Sequence, residues 1–168
     1  MRRKRVSISG ATYFLTLCTN HRNRGLNTPT IAASIRAETG AIEHDRHWHV
    51  RGAVIMPDHL HLLATITGSL SLSRTVARLK SKTRRELAAA GLSWQSNYFD
   101  HRLRPADHIS AALTYLVTNP VRGRLVAAAK DYPQVWIGPE ETTWFAWPPA
   151  DDSSVRPHWL DRGQTSGG

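Results

Sequence analysis

The sequence predicts an α+β fold, an antiparallel sheet with helices packed mainly on one face. Three observations predict it. Residues 48–56 (WHVRGAVIM) and 59–66 (HLHLLATI) are two strand-like runs separated only by Pro57 and Asp58, the composition of a hairpin turn. Residues 11–19 (ATYFLTLCT) are rich in β-branched and aromatic side chains and read as a further strand. Residues 70–90 carry apolar residues at helical spacing, and segments of helical period alternate with the strands along the chain.

Each element follows from its own pattern. Residues 21–30 form a loop containing two arginines. Residues 30–45 place Ile31, Ile35 and Ile42 on one helical side, with Gly40 as a weak point. In the 70–90 helix, Leu72, Val76, Leu79 and Leu87 mark the buried side, and Gly91 stops the helix. Residues 93–104 read as extended. Pro105 is placed to open the next helix, whose buried face is Ile109, Leu113 and Leu116 and whose end is Asn119-Pro120. The order is β-α-β-β-α-β-α. Beyond Tyr132-Pro133 tryptophan and proline become concentrated and the chain ends in Gly and Ser. Residues 1–133 therefore read as the folded domain. Residues 134–168 read as an irregular tail that packs on it through its tryptophans and frays at its end.

The chain has 168 residues with 22 Lys and Arg against 13 Asp and Glu, a formal charge of +9. Such an excess favours a polyanionic partner, most often nucleic acid. The apolar fraction is that of a globular protein. No apolar run approaches a membrane span, and the N-terminal stretch lacks a signal-peptide core. A single cysteine, Cys18, excludes an internal disulfide and a cysteine zinc cluster. A cytoplasmic location fits.

The chemistry starts at MPDHLHLL, residues 56–63. On a strand, positions i and i+2 face the same way, so His59 and His61 project from one face and Leu60 and Leu62 from the other. Two imidazoles so placed suit one divalent metal; they also suit a plain half-exposed strand. In ALTYLVTNP, Tyr115 and Asn119 stand four apart and stack on one helix side. The Asn119 amide oxygen suits a hard cation such as Mg²⁺ or Mn²⁺. The Tyr115 hydroxyl beside such a metal suits nucleophilic attack, although a lone helix tyrosine is more often a packing residue.

Together, VIMPDHLHLL (54–63), WQSNYFDHRLR (94–104) and YLVTNPVRGRLV (115–126) resemble the HUH endonuclease superfamily. More narrowly, the chain is similar to the REP-associated tyrosine transposases, relatives of single-strand insertion-sequence transposases. The resemblance spans roughly residues 11–133. It implies a ferredoxin-like sheet with the His59–His61 strand near its centre. It implies His59, His61 and Asn119 as the ligands of Mg²⁺ or Mn²⁺, Tyr115 as the nucleophile, and single-stranded or hairpin DNA as the substrate. It implies cleavage through a 5′-phosphotyrosine link that can be religated without ATP. The family often reads NPVRAGLV where this chain has NPVRGRLV, so Gly123 and Arg124 depart from it.

DNA holding is expected from a stripe, Arg74, Arg78, Lys82 and Arg85, opposite the apolar side of the 70–90 helix, and from an N-terminal arm, Arg2, Arg3, Lys4 and Arg5. The alternative for the stripe is a merely solvated helix face. Trp94 or Tyr98 could stack on an unpaired base or be buried. His108 lies on the Tyr115 side of its helix and could take the phenol proton, but reads more simply as a solvated histidine. The competing functional readings are a domesticated protein that holds hairpin DNA or RNA without cutting, and a metal-dependent hydrolase that uses water. Monomer and homodimer both stay open.

Overall fold

The computed structural model describes residues 8–150 and 156–160. Five strands form one sheet: β1 (Thr12–Cys18), β2 (Trp48–Ile55), β3 (His59–Ile66), β4 (Phe99–Arg102) and β5 (Val135–Ile137). Their order across the sheet is β4-β1-β3-β2-β5, and every pairing is antiparallel. The histidine strand β3 is thus the middle strand. The helices are α1 (Pro29–His44), α2 (Leu72–Ala89), α3 (Ile109–Val117) and the single turn α4 (Asn119–Arg122).

Strand alternation divides the sheet into two chemically different faces. Leu15, Leu17, Leu60, Leu62 and Ile55 point to one face and are sealed by Ile31, Ile35 and Ile42 of α1 and Leu72, Val76 and Leu79 of α2. Phe14, Val54 and Leu63 point to the other and meet Leu113 and Leu116 of α3, together with Tyr132, Trp159 and Leu160. Gly52 lets α3 approach β2 closely, since a Cβ there would stand 2.7 Å from Leu113 Cδ2. The register of β2 slips between Val50 and Gly52, so Arg51 is a bulge residue that resets which side chains face α3.

The two helices α1 and α2 confirm the periodicity read from the sequence. Ser71 caps α2 by accepting a hydrogen bond from the Arg74 amide at 3.3 Å, and Gly91 follows its end with φ +71°. Two expectations change. Pro105 does not open α3; the helix begins four residues later, after His108. The intervening residues form a turn held by the Asp107 carboxylate, which accepts from the Arg104 amide at 2.8 Å and from His101 Nε2 at 3.0 Å. The segment after Pro133 is also more than a tail. Val135–Ile137 adds the edge strand β5 to β2. Trp159 packs on Phe14, with centroids 5.1 Å apart, and stacks on His101 at 4.2 Å. The expected fraying of the last residues lies outside the described residues.

The departure from NPVRAGLV has a structural consequence. After α4, the Leu125 amide donates to the Pro120 carbonyl at 2.9 Å and the Arg124 amide to the Val121 carbonyl at 2.9 Å. This is a Schellman ending, whose left-handed residue is usually glycine. Here that residue is Arg124, with φ +56°, while Gly123 has an ordinary negative φ of −75°. The chain carries arginine where the left-handed position favours glycine, and glycine at a position whose φ suits any residue but where a Cβ would stand 3.0 Å from Met56 Cε and 3.3 Å from the Asn119 carbonyl oxygen. Arg124→Gly should therefore raise stability by about 1 kcal/mol, read as a higher thermal midpoint. An unchanged or lower midpoint would mean that the Arg124 side chain compensates its backbone.

Candidate metal and nucleophile site

The site is built where β1, β3, α3 and α4 meet. Cys18 stands opposite His59 and Thr16 opposite His61 across the β1–β3 ladder. The turn that delivers His59 is pinned from the 19–26 loop. The Gly25 and Leu26 amides donate to the Pro57 carbonyl at 2.8 and 2.9 Å, and the Thr19 amide donates to the Asp58 carbonyl at 3.0 Å. A cavity of about 300 Å³ opens here, lined by Thr16, Cys18, Arg22, His59, His61, Phe99, Tyr115, Asn119 and Leu160.

The two rings lie 4.5 Å apart, edge to face. Each has its Nδ1 engaged: His59 with Asp58 Oδ1 at 2.7 Å, His61 with Thr16 Oγ1 at 2.9 Å. An imidazole whose Nδ1–H donates presents its Nε2 lone pair as ligand. Burial holds the His59 pKa below the ordinary imidazole value, against an opposing pull from Asp58. Burial, with the neighbouring charges of His59 and Arg122, pushes His61 well below it. Burial thus favours the neutral form of both rings, the form that ligates metals. The Asn119 side chain hydrogen-bonds His59, which brings the third expected ligand to the pair. Two imidazole nitrogens and an amide oxygen form a donor set that fits a divalent cation.

Tyr115 faces the same cavity. Its ring centroid is 6.0 Å from that of His61 and 5.9 Å from that of Phe14. The Arg122 guanidinium lies over the ring, 4.0 Å from its centroid, and donates to the Tyr115 carbonyl and to Thr118 Oγ1. One residue thus joins the end of α3 to α4 and fixes the ring plane.

His59, His61, Tyr115 and Asn119, which the sequence reading groups together, line one cavity, although His59 and Tyr115 stand 56 positions apart in the chain. Other expected residues are elsewhere. Arg78 is not an uncommitted cation of a DNA-binding stripe. It donates to Glu38 of α1 and to Asp45 just past the end of α1, at 2.7 Å each, which holds its own proton more firmly than usual. Arg74, Lys82 and Arg85 are exposed on α2, and α2 covers the leucine face of the sheet, opposite the cavity. Arg2, Arg3, Lys4 and Arg5 lie outside the described residues. His108 is exposed at the start of α3 and does not line the cavity. Trp94 packs on the leucine-face core and donates to Thr83 Oγ1 at 3.0 Å. Tyr98 meets Ser73 Oγ at 3.2 Å.

Sequence reasoning missed Asp58 and Arg22. Asp58 was read as a turn residue, yet it orients His59 and accepts from Arg22 Nε at 2.9 Å. Burial raises the Asp58 pKa, but His59 and Arg22 outweigh it and hold the carboxylate below its ordinary value. Arg22 also reaches Cys18 Sγ at 2.7 Å. The signal available for Asp58 was its place directly before the first histidine.

Comparison with known proteins agrees with this architecture. The family described as "Transposase IS200 like" matches residues 7–109, a span that holds both histidines and stops before Tyr115. The protein belongs to this IS200-like transposase family. Within it, the chain is similar to the REP-associated tyrosine transposase of Escherichia coli K12, at 26% identity over 133 residues, covering 77% of this chain and 78% of that protein. A Haemophilus influenzae relative is 26% identical over 145 residues, covering 77% and 81%. The fold matches that of a REP-associated tyrosine transposase solved bound to a REP hairpin, with TM-score 0.71, 22% identity, and 94% and 97% of the two chains covered.

Two outcomes test this description. Asp58→Asn should weaken Mn²⁺ binding about 10- to 100-fold in calorimetric titration, because the carboxylate no longer fixes the His59 ring; unchanged affinity would remove Asp58 from the site. Arg78→Ala should lower the thermal midpoint more than Lys82→Ala, because of these two side chains Arg78 is the one that bonds to Glu38 of α1, whereas Lys82 is exposed. Equal midpoints would return Arg78 to the exposed stripe.

Proposed function

We propose that the protein is a metal-dependent single-stranded DNA endonuclease and strand transferase that cleaves beside hairpin DNA through a covalent tyrosine intermediate. One observation carries this reading: Tyr115 and the set His59, His61 and Asn119 line a single cavity. Membership of the transposase family and the formal charge of +9 support DNA as the polyanion. The hairpin bound by the structurally similar transposase supports a hairpin as its form.

In the proposed reaction the Tyr115 oxygen attacks the scissile phosphorus in line. The bond from phosphorus to the 3′-oxygen breaks, the 3′-oxygen leaves as a hydroxyl, and the 5′-phosphate remains on the tyrosine. The phenol proton passes to solvent as the new bond forms, and the departing 3′-oxygen takes one proton from solvent, so the step is neutral in protons. His59, His61 and Asn119 would hold Mg²⁺ or Mn²⁺, which when bound supplies Lewis-acid polarisation of a phosphate oxygen. Asp58 and Thr16 keep the two imidazoles turned with Nε2 toward the cavity. Arg122 holds the Tyr115 ring and limits its swing. Arg22, half exposed at the cavity mouth, offers guanidinium N–H groups to a phosphate. Because the phosphoester energy is retained in the tyrosine link, attack by a new 3′-hydroxyl restores a DNA strand with no further energy source. The exposed Arg74, Lys82 and Arg85 belong to this proposal only as contacts for DNA that passes around the sheet to its other side.

Tyr115→Phe should bind hairpin-flanked single-stranded DNA within about twofold of the native protein and form no denaturation-resistant adduct. The check is a labelled oligonucleotide incubated with Mn²⁺ and resolved on a denaturing gel. An adduct with Tyr115→Phe would assign the nucleophile to another residue. Tight binding with no adduct even for the native chain would favour the non-cleaving binder.

A further inference from the structure

A second polar cluster lies on the α3 side of the sheet, toward the far end of β3. His49 of β2 stands opposite Thr65, four residues beyond His61, which is about 13 Å along the strand. Its Nδ1 is 2.9 Å from Glu43 Oε1, and the same oxygen accepts from the Val50 amide at 2.9 Å. With Nδ1–H donated to Glu43, Nε2 carries a lone pair. That nitrogen faces two carboxylates, Glu140 Oε2 at 3.6 Å and Glu141 Oε2 at 3.8 Å.

Among the described residues, two of these three atoms are buried without a hydrogen-bond partner: His49 Nε2 and Glu141 Oε2. Glu141 is 0% exposed, and its other oxygen is bound by Arg51 Nη1 at 2.6 Å. Gly138 makes room for it, since a side chain there would collide with the Glu141 carboxylate and the Val50 carbonyl. A lone pair aimed at two carboxylate oxygens is repulsive unless positive charge lies between them. A proton on Nε2 would leave both N···O separations longer than a hydrogen bond. A tetrahedral ion with bonds of about 2.0–2.1 Å holds its ligand atoms about 3.3 Å apart, only a few tenths of an ångström less than the separations found. The three ligand atoms all lie within 4.8 Å of one another.

We propose that His49 Nε2, Glu140 and Glu141 bind a divalent cation of the zinc class, at a site separate from the cavity of His59 and His61. Glu43 is its orienting carboxylate, in the arrangement of carboxylate, histidine and metal that fixes a ligating ring. The ion joins β2 to the segment after β5 and so fastens residues 138–145 to the sheet. Its role is structural, and it holds whether or not the protein cleaves DNA.

The test is chelator competition with Zn²⁺ on the full chain. The native protein should bind two equivalents. His59→Ala should lose one and keep the other. Glu140→Gln, at a side chain 72% exposed and thus tolerant of change, should lose or weaken at least tenfold the equivalent that His59→Ala keeps. Zn²⁺ should raise the thermal midpoint of His59→Ala and not that of His59→Ala combined with Glu140→Gln. Two results overturn the proposal: a native protein with one equivalent that His59→Ala abolishes, or retained Zn²⁺ in His59→Ala that is indifferent to Glu140→Gln.

Discussion

Placing two imidazoles in the middle strand of a sheet requires that they be kept neutral and held still. Burial of His59 and His61 disfavours their protonated forms, and the hydrogen bonds that their Nδ1–H groups donate to Asp58 and Thr16 leave Nε2 as the nitrogen offered to the cavity. That arrangement is affordable only because the opposite side of the same strand is entirely apolar. Leu60 and Leu62 are fully buried under α1 and α2. One strand of period two thus anchors the core on one side and the chemistry on the other.

The α3 side of the sheet is organised by side chains from late in the sequence. Phe14 touches His61, Tyr115 and Trp159 with ring centroids 5.1, 5.9 and 5.1 Å apart, so the expected nucleophile, one expected ligand and the 156–160 segment share one aromatic contact. Leu160 lines the cavity itself. The residues after Pro133 therefore do more than cover the domain: they supply an edge strand and part of the cavity wall. Among the described residues, no helix is long and apolar enough to cross a membrane.

Much of the sheet was legible because strand and helix periods are local properties. The β2–β3 hairpin, the isoleucines of α1 and the apolar side of α2 follow from spacing alone. The histidine pair could be placed on one face for the same reason. Strand β5 was not legible, because three residues carry no alternation and become a strand only by pairing with β2. Arg78 looked like its neighbours on the stripe, and only tertiary packing sets Glu38 and Asp45 against it. The start of α3 was misplaced because Pro105 is compatible with a helix start, whereas the Asp107 side chain stabilises a turn instead. The exchange of Gly123 and Arg124 was visible, but its cost is set by a left-handed φ that the sequence does not display.

The central claim is that His59 and His61 bind one divalent ion together. Pulsed electron paramagnetic resonance on the Glu140→Gln protein loaded with one equivalent of Mn²⁺ tests it most directly. The account predicts ¹⁴N couplings from two imidazoles, reduced to one by His59→Ala and likewise by His61→Ala. A single imidazole coupling that survives both substitutions, or no nitrogen coupling at all, would contradict it.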